Sequence, residues 1–303
     1  MFDDNNLFHI GIIAPSSVIL KSDLTNGIKK LKSNGFISIK IHPDCYKKHL
    51  FFAGDQRARA FYEFAKDESI QILWCARGGY GAIRLLQRLK DYTKQFGIPP
   101  KKLLIGYSDI TALHEFVRKH WHWSILHAPM PGLKEFVKIK KSGFNELKQI
   151  IYGNHKNTWL NEFKLKKLKQ ISKQNITGTL AGGNLSVICS LVGTQFAIQA
   201  ENKILFLEDI NEPLYKIDRM VQQLALSGNL TNIKALVLGS FGEMTSQLAF
   251  REIFQSLGKH FQFPVFYGLP VGHEKNNFPL PLGGQYNIDE RGIIQLLDWE
   301  WAH

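Results

Sequence analysis

Cysteine is scarce in this chain of 303 residues, which has only Cys45, Cys75 and Cys189. They are far apart in sequence, odd in number and form no CxxC pair. This pattern excludes a disulfide framework and a zinc knuckle, and it is typical of a reducing compartment. Because Cys75 and Cys189 stand in apolar segments, we expect both to be buried as small hydrophobic side chains.

Long apolar runs are also missing. None reaches the roughly 20 residues that a membrane span requires. The first residues, MFDDNNLFHI, are acids and amides instead of a basic region followed by a long apolar one. We therefore expect a cytoplasmic protein that does not associate with a membrane.

The sequence has no HExxH motif and no compact group of His, Cys and Asp, so we expect neither a metal nor a cofactor. The formal charge of +12 comes largely from lysine tracts such as KEFVKIKKSG and KLKKLKQISK. No nucleic-acid-binding motif accompanies these tracts, which favours a solvated surface and no nucleic-acid partner. An anionic small substrate remains compatible with the charge.

The first half of the chain alternates between strand-like and helix-like segments. Apolar runs such as FHIGIIA, IQILWCA and KLLIGYS are separated by segments with apolar residues at helical spacing, the last over residues 81–92. This alternation predicts an α/β domain with a mostly parallel sheet and helices on both of its faces.

The second half is richer in strands and predicts an α+β domain with a barrel-like sheet. Helices are expected near 184–191 and 215–226, and YNIDERGIIQLL predicts a hairpin that turns at 289–292. We expect an α/β domain over 1–135, a lysine-rich linker over 136–175 and the second domain over 176–303.

Two turns in the first half follow predicted buried strands directly. In open parallel sheets, ligands bind at the carboxyl ends of the strands. The first is RGGYG, residues 77–81, hereafter the RGGYG turn, whose glycines would let backbone amides face an anion or oxyanion. It matches neither GxGxxG nor GxxxxGK[ST], and a tight turn with no ligand is the competing interpretation.

The second is GYSD, residues 106–109, hereafter the GYSD turn. It resembles the G-x-S-x-G elbow that exposes a nucleophilic serine, except that Ile110 replaces the last glycine. From the motif alone, Ser108 is either a nucleophile or a helix N-cap.

A serine nucleophile needs a base and a group that orients the base. His273 lies in the polar loop VGHEKNN after an apolar strand, and FLED places Glu208 and Asp209 at the end of another. His114 and His127 are further candidate bases, although His114 lies on the helix after Ser108 and is expected to point away. An exposed loop histidine and a structural cluster of ion pairs are the competing interpretations.

Five blocks in order resemble the LD-carboxypeptidases, also called muramoyltetrapeptide carboxypeptidases: RGGYGAIRLL, IGYSDITALH, LAGGNLSVICSLVGT, LFLEDINEPLYKIDRM and VGHEKNNFPLPLG. The resemblance implies a serine peptidase, usually a homodimer, with Ser108 as nucleophile, Glu208 as orienting acid and His273 as general base. It also implies that the backbone amides of Asp109 and Gly79 form the oxyanion hole.

The resemblance further implies release of the terminal D-alanine from a murein tetrapeptide during peptidoglycan recycling. Arg77 and Arg219 are the candidates for binding the free carboxylate of the substrate. A microcin-immunity type of peptidase, which cuts aminoacyl-nucleotide conjugates, and a non-catalytic muropeptide-binding protein are the alternatives. Ala128, in HAPM, departs from the glycine expected there, and the linker is more lysine-rich than expected.

Overall fold

The computed structural model describes residues 8–47, 54–154, 158–169, 175–243, 246–275 and 277–301. The chain divides into two compact units, one formed by residues 1–144 with 301–303 and the other by residues 145–300.

The strands of the first unit form a parallel sheet. The strands are β1 (Ile10–Ile13), β2 (Ile39–Ile41), β3 (Ile72–Cys75), β4 (Leu103–Gly106) and β5 (Ser124–His127). Their order across the sheet is β5-β4-β3-β1-β2, and every one of these pairs is parallel. All residues of β1, β3 and β4 are buried, as expected for a sheet covered on both faces.

Helices connect these strands and follow the last of them. They are α1 (Lys21–Lys32), α2 (Gly54–Lys66), α3 (Leu86–Phe96), α4 (Thr111–His120), α5 (Lys134–Val137) and α6 (Lys141–Ile151), which spans the boundary between the units. The helix expected over 81–92 instead begins as a 3-10 turn, Ala82–Leu85, before α3. This turn follows Gly81, whose φ of 115° is left-handed.

The second unit has a mixed sheet. The strands of this sheet are β6 (Lys166–Lys169), β7 (Ile176–Asn184), β8 (Ile204–Glu208), β9 (Ala235–Leu238), β10 (Val265–Tyr267), β12 (Gln285–Ile288) and β13 (Ile294–Asp298). The unit also contains the short strand β11 (Leu280–Leu282), which is not part of this sheet. Its helices are α7 (Leu185–Leu191), α8 (Leu214–Leu226) and α9 (Gln247–Phe261).

The sheet runs β13-β12-β7-β8-β9-β10-β6, with a parallel centre and antiparallel edges. Its two edges meet, because Lys164 forms an antiparallel bridge with Ile293 and the Leu165 amide donates to the Gly292 carbonyl at 2.9 Å. This contact curls the sheet into the barrel-like shape expected from the sequence.

Most of the expected elements are present, including α7, α8 and the hairpin of β12 and β13. Helix α9 was not anticipated, and residues 136–175 contain α6 and β6. All three cysteines are buried and free. No helix among the described residues combines the length and the apolar character that a bilayer span requires.

Gly27 lies where α1 packs closely against the backbone of Pro131. Glycine within a helix usually costs about 1 kcal/mol relative to alanine, but a Cβ added here would stand 1.6 Å from the Pro131 carbonyl oxygen. We expect Gly27→Ala to lower the free energy of unfolding by about 2 to 3 kcal/mol through overpacking, measured by urea denaturation. Thr25→Ala, at an exposed position of the same helix, is the control. A stabilised Gly27→Ala variant would contradict the close approach.

Candidate active site

The GYSD turn connects β4 to α4 through a strained backbone. Ser108 has a φ of 63°, in the left-handed region that few residues other than glycine adopt. The Ser108 side chain is half-buried. The N-cap residue of α4 is Ile110, which makes no side-chain capping hydrogen bond. The structure therefore gives Ser108 no role as the cap of α4, and the strain is of the kind that accumulates at functional sites.

The RGGYG turn lies against Ser108. A Cβ added to Gly78 would stand 3.1 Å from the Ser108 Cβ and 3.3 Å from its Oγ, so a larger residue would crowd the hydroxyl. Gly79 follows with a φ of 121°. The two turns are adjacent because β3 and β4 are parallel neighbours, with Trp74 paired to Ile105. This brings one candidate oxyanion segment beside the candidate nucleophile.

Within the second unit, the structure brings together the predicted acid and base. The Glu208 Oε2 atom is 2.8 Å from the His273 Nδ1 atom. Glu208 is fully buried at the end of β8, whereas His273 is half-buried. Burial by itself would lower the pKa of His273, but the hydrogen bond and the negative charge of Glu208 outweigh it, so that this pKa is raised.

Asp209, the other candidate acid, has different partners. Its carboxylate accepts hydrogen bonds from the Ser186 amide at 2.9 Å and from its neighbour Ile210 at 2.8 Å. The Asn184 side-chain amide donates to Asp209 at 3.1 Å and to Glu208 at 3.3 Å. Sequence reasoning missed this bridging amide, although an asparagine directly before a helix is a recognisable N-cap signal. The structure thus pairs His273 with Glu208 and ties Asp209 to the start of α7.

Gly272 makes room for the acid–base pair. Its φ is 114°, and an added Cβ would lie 2.6 Å from the Glu208 Oε2 atom. The glycine in VGHE is therefore required on two grounds, its conformation and the close approach of the carboxylate.

The two candidate arginines have different environments. Arg77 is half-buried, and its Nε is a buried donor with no hydrogen-bond partner among the described residues. Its Nη1 donates to the Val18 carbonyl at 3.4 Å. Arg219 is exposed on α8, where its guanidinium lies 5.6 Å from the centre of the Tyr215 ring.

The other candidate bases are both fully buried. Burial lowers the pKa of His114 to about 3, which keeps its imidazole neutral at ordinary pH. His127 ends β5 and its ring centre is 5.6 Å from that of Tyr107.

Ala128 directly follows His127, and its amide donates a hydrogen bond to the Gly106 carbonyl at 3.0 Å. Because its φ is negative, a residue other than glycine fits this position. No three His, Cys, Asp or Glu side chains cluster as metal ligands in the part of the chain described.

Comparison with known families decides the assignment. The model of the LD-carboxypeptidase N-terminal domain matches residues 10–128, and that of the C-terminal domain matches residues 177–288. A Rickettsia conorii protein with a provisional carboxypeptidase name is 33% identical over 89% of this chain and 84% of its own length. The chain belongs to the LD-carboxypeptidase family. As a member it is a carboxypeptidase, a hydrolase that removes a terminal residue from a peptide.

A solved structure also supports membership of this family. The muramoyltetrapeptide carboxypeptidase of Oxalobacter formigenes is 31% identical, with a TM-score of 0.77 over 95% of this chain and 97% of that one. Among the relatives found by sequence, a microcin C7 self-immunity protein of Escherichia coli is 27% identical over 91% of this chain and 88% of its own length. The family thus includes proteins with differently named roles.

The contact between His273 and Glu208 predicts that loss of the carboxylate lowers the pKa of His273. In Glu208→Gln the negative charge is lost while burial remains, so we expect the pKa of His273 to fall below the ordinary value of a histidine. The imidazole signals followed by NMR over a pH series would measure it. Glu212→Gln removes a carboxylate that pairs with Lys216 at 3.5 Å and is the matched control. An unchanged pKa in Glu208→Gln would show that Glu208 does not set the charge of His273.

Proposed function

We propose that the protein is a serine LD-carboxypeptidase that releases the terminal D-alanine of murein tetrapeptides during peptidoglycan recycling. Ser108 is the nucleophile, His273 the general base and Glu208 the acid that orients it. The observation that carries the proposal is the 2.8 Å hydrogen bond from His273 to a fully buried carboxylate. That bond fixes one imidazole nitrogen and leaves proton transfer to the other, as an acyl-transfer base requires. The proposal requires His273 to reach Ser108.

The reaction proceeds in two acyl-transfer steps. His273 takes the Ser108 proton as the hydroxyl attacks the amide carbonyl, and the backbone amides of Asp109 and Gly79 stabilise the oxyanion. Each such donor contributes on the order of 3 kcal/mol to lowering the barrier. His273 then protonates the D-alanine amine as the carbon–nitrogen bond breaks. Water, deprotonated by His273, hydrolyses the acyl-enzyme and regenerates Ser108.

Murein peptides as the substrate class are supported by the name of the Oxalobacter formigenes relative. The strained Ser108 and the glycines beside it support a nucleophile with an oxyanion site. We propose further that the protein acts in the cytoplasm as a homodimer, as its resemblance to the family implies. Its sequence motifs favour no nucleic-acid and no membrane partner.

Arg77 is the better candidate for binding the free carboxylate of the substrate. A buried guanidinium nitrogen without a partner is costly, and a bound carboxylate would satisfy it. Arg219 instead lies on an exposed helix face against Tyr215. An exposed cation in water offers a weaker charge contact than a partly buried one.

Cleavage of aminoacyl-nucleotide conjugates is the second candidate function. It is supported by the sequence similarity to the microcin self-immunity protein. A structure of that protein has been solved in complex with aspartyl sulfamoyl adenosine. The block FLEDINEPLYKIDR of this chain is intact in the form typical of the murein enzymes, which favours the first function.

We expect wild-type protein to release D-alanine from a murein tetrapeptide and to leave a peptidyl-adenylate analogue intact. Ser108→Ala should lower kcat by at least about 1000-fold, because it removes the nucleophile. Ser190→Ala, at an exposed hydroxyl of α7, is the matched control. D-Alanine release would be followed by a coupled oxidase assay. Cleavage of the adenylate alone would support the second function instead. Activity in Ser108→Ala would show that Ser108 is not the nucleophile.

Substitution of Arg77 and of Arg219 should affect KM to different extents. Arg77→Met should raise KM for the tetrapeptide by about 10-fold or more, because a charge-assisted hydrogen bond to a carboxylate is worth about 1.5 to 3 kcal/mol. Arg219→Met should change KM by less than about twofold, as for an exposed cation. Steady-state kinetics with the tetrapeptide and its C-terminal amide would measure both. A larger effect at Arg219 would reverse the assignment, and equal effects on acid and amide would exclude carboxylate binding.

A further inference from the structure

The side chain of Asp109 has no part in the chemistry above, which uses only its backbone amide. It is 7% exposed and directly follows Ser108. Its Oδ2 atom accepts a hydrogen bond from the Ala82 amide at 2.9 Å. A buried carboxylate beside a nucleophile needs a reason to be there, because its desolvation is costly.

This bond joins the two turns of the candidate site. Ala82 begins the 3-10 turn that directly follows the RGGYG turn, and Asp109 belongs to the GYSD turn. The strands before them, β3 and β4, are already paired side by side. The carboxylate therefore adds a connection between the two turns beyond the ends of the strands, besides the Gly78–Ser108 contact.

The three glycines of the RGGYG turn leave it few side chains that could hold it in place. Gly79 and Gly81 both have left-handed φ values and no side chains that could anchor them by packing. The Tyr80 amide makes a long 3.4 Å hydrogen bond to the Ser17 hydroxyl. The Ala82–Asp109 bond is shorter and is made to a charged acceptor, the stronger kind of hydrogen bond.

A cation on α2 completes the arrangement. Burial raises the pKa of Asp109, and hydrogen bonding to Ser16 and Ala82 opposes that rise. The charge of Arg57, which is half-buried, adds to this opposition. The Arg57 Nη1 atom lies 3.5 Å from the position that a Cβ on Gly81 would occupy. The guanidinium thus packs against the RGGYG turn while its charge favours the ionised carboxylate.

We propose that the Asp109 carboxylate is a positioning residue, which holds the RGGYG turn against the GYSD turn so that the amides of Gly79 and Asp109 face the same oxyanion. The inference rests on the proposed function for the identity of the nucleophile. It extends that function by giving the side chain of Asp109 a role distinct from that of its amide.

The test compares Asp109→Ala with Asp109→Asn in the full chain. Alanine removes the acceptor, and we expect kcat for D-alanine release to fall about 10- to 100-fold with KM nearly unchanged, because misplaced groups weaken transition-state binding. The asparagine oxygen can still accept from Ala82, so Asp109→Asn should retain kcat within about fivefold. Asp91→Ala, at a surface carboxylate of α3, is the matched control.

Hydrogen–deuterium exchange provides a readout that does not depend on the substrate. We expect the amides of residues 77–85 to exchange about 10-fold faster in Asp109→Ala and nearly as in wild type in Asp109→Asn. Unchanged exchange in this segment, or equal loss of kcat in both variants, would overturn the proposal. So would a loss in Asp109→Ala explained by a smaller folded fraction, measured by thermal unfolding, with kcat per folded molecule unchanged.

The exchange experiment also separates the two proposals. If wild-type protein releases no D-alanine while exchange in Asp109→Ala rises as expected, the positioning role stands and the substrate assignment fails. If D-alanine is released while exchange and kcat are insensitive to Asp109, the proposed function stands and the positioning role fails.

Discussion

The parallel pairing of β3 with β4 is the constraint on which the geometry around Ser108 depends. Trp74 pairs with Ile105, so the two strands end together at the same edge of the sheet. The turns that leave this edge must therefore lie side by side. Every residue of both strands is buried, so a shift in register would move apolar side chains and is disfavoured by the whole core. A rigid sheet in this way supports a left-handed Ser108, whose strain of order 1 to 3 kcal/mol needs such support.

The acid–base pair depends on burial in a different way. Glu208 is the last residue of β8 and has no exposed surface, so its charge is screened little by solvent. Asn184, at the end of the neighbouring strand β7, donates to it, and Gly272 leaves room for its carboxylate. These two neighbours let a charged group remain in an apolar setting, where its interaction with His273 is strong. The carboxylate thereby restricts both the orientation and the protonation of the imidazole.

Much of the fold could be predicted from the sequence because the signals were local. Buried strands such as β3 and β8 are continuous apolar runs, and the hairpin of β12 and β13 has its turn residues in place. Helix α9 was not predicted, although its buried Phe250, Phe254 and Leu257 recur at helical spacing. Strand β6 was missed because its sequence, KKLK, carries the composition of a solvated tract, and only pairing with β10 gives it its conformation.

The candidate site shows the same division between local and long-range information. Spacing alone did not choose between Glu208 and Asp209, and only the resemblance to the family favoured Glu208. The structure distinguishes them by their partners, because Glu208 pairs with His273 whereas Asp209, the next residue, binds the Ser186 amide. The side-chain roles of Asn184 and Asp109 could not be read from spacing, because their partners are 24 and 27 residues away in sequence. Motifs thus identify which residues are chemically capable, whereas tertiary hydrogen bonds decide which of them act together.

Substrate choice is a separate question from the chemistry of the acid–base pair. In general, a serine nucleophile with a histidine base can cleave different acyl bonds, so such chemistry does not by itself distinguish a tetrapeptide from an aminoacyl nucleotide. Discrimination must come from groups that contact the remainder of the substrate. A free terminal carboxylate is planar and singly charged, and the partly buried Arg77 offers a guanidinium donor without a partner among the described residues. The difference between the two family activities is therefore expected to lie in the cations around a shared hydrolytic site.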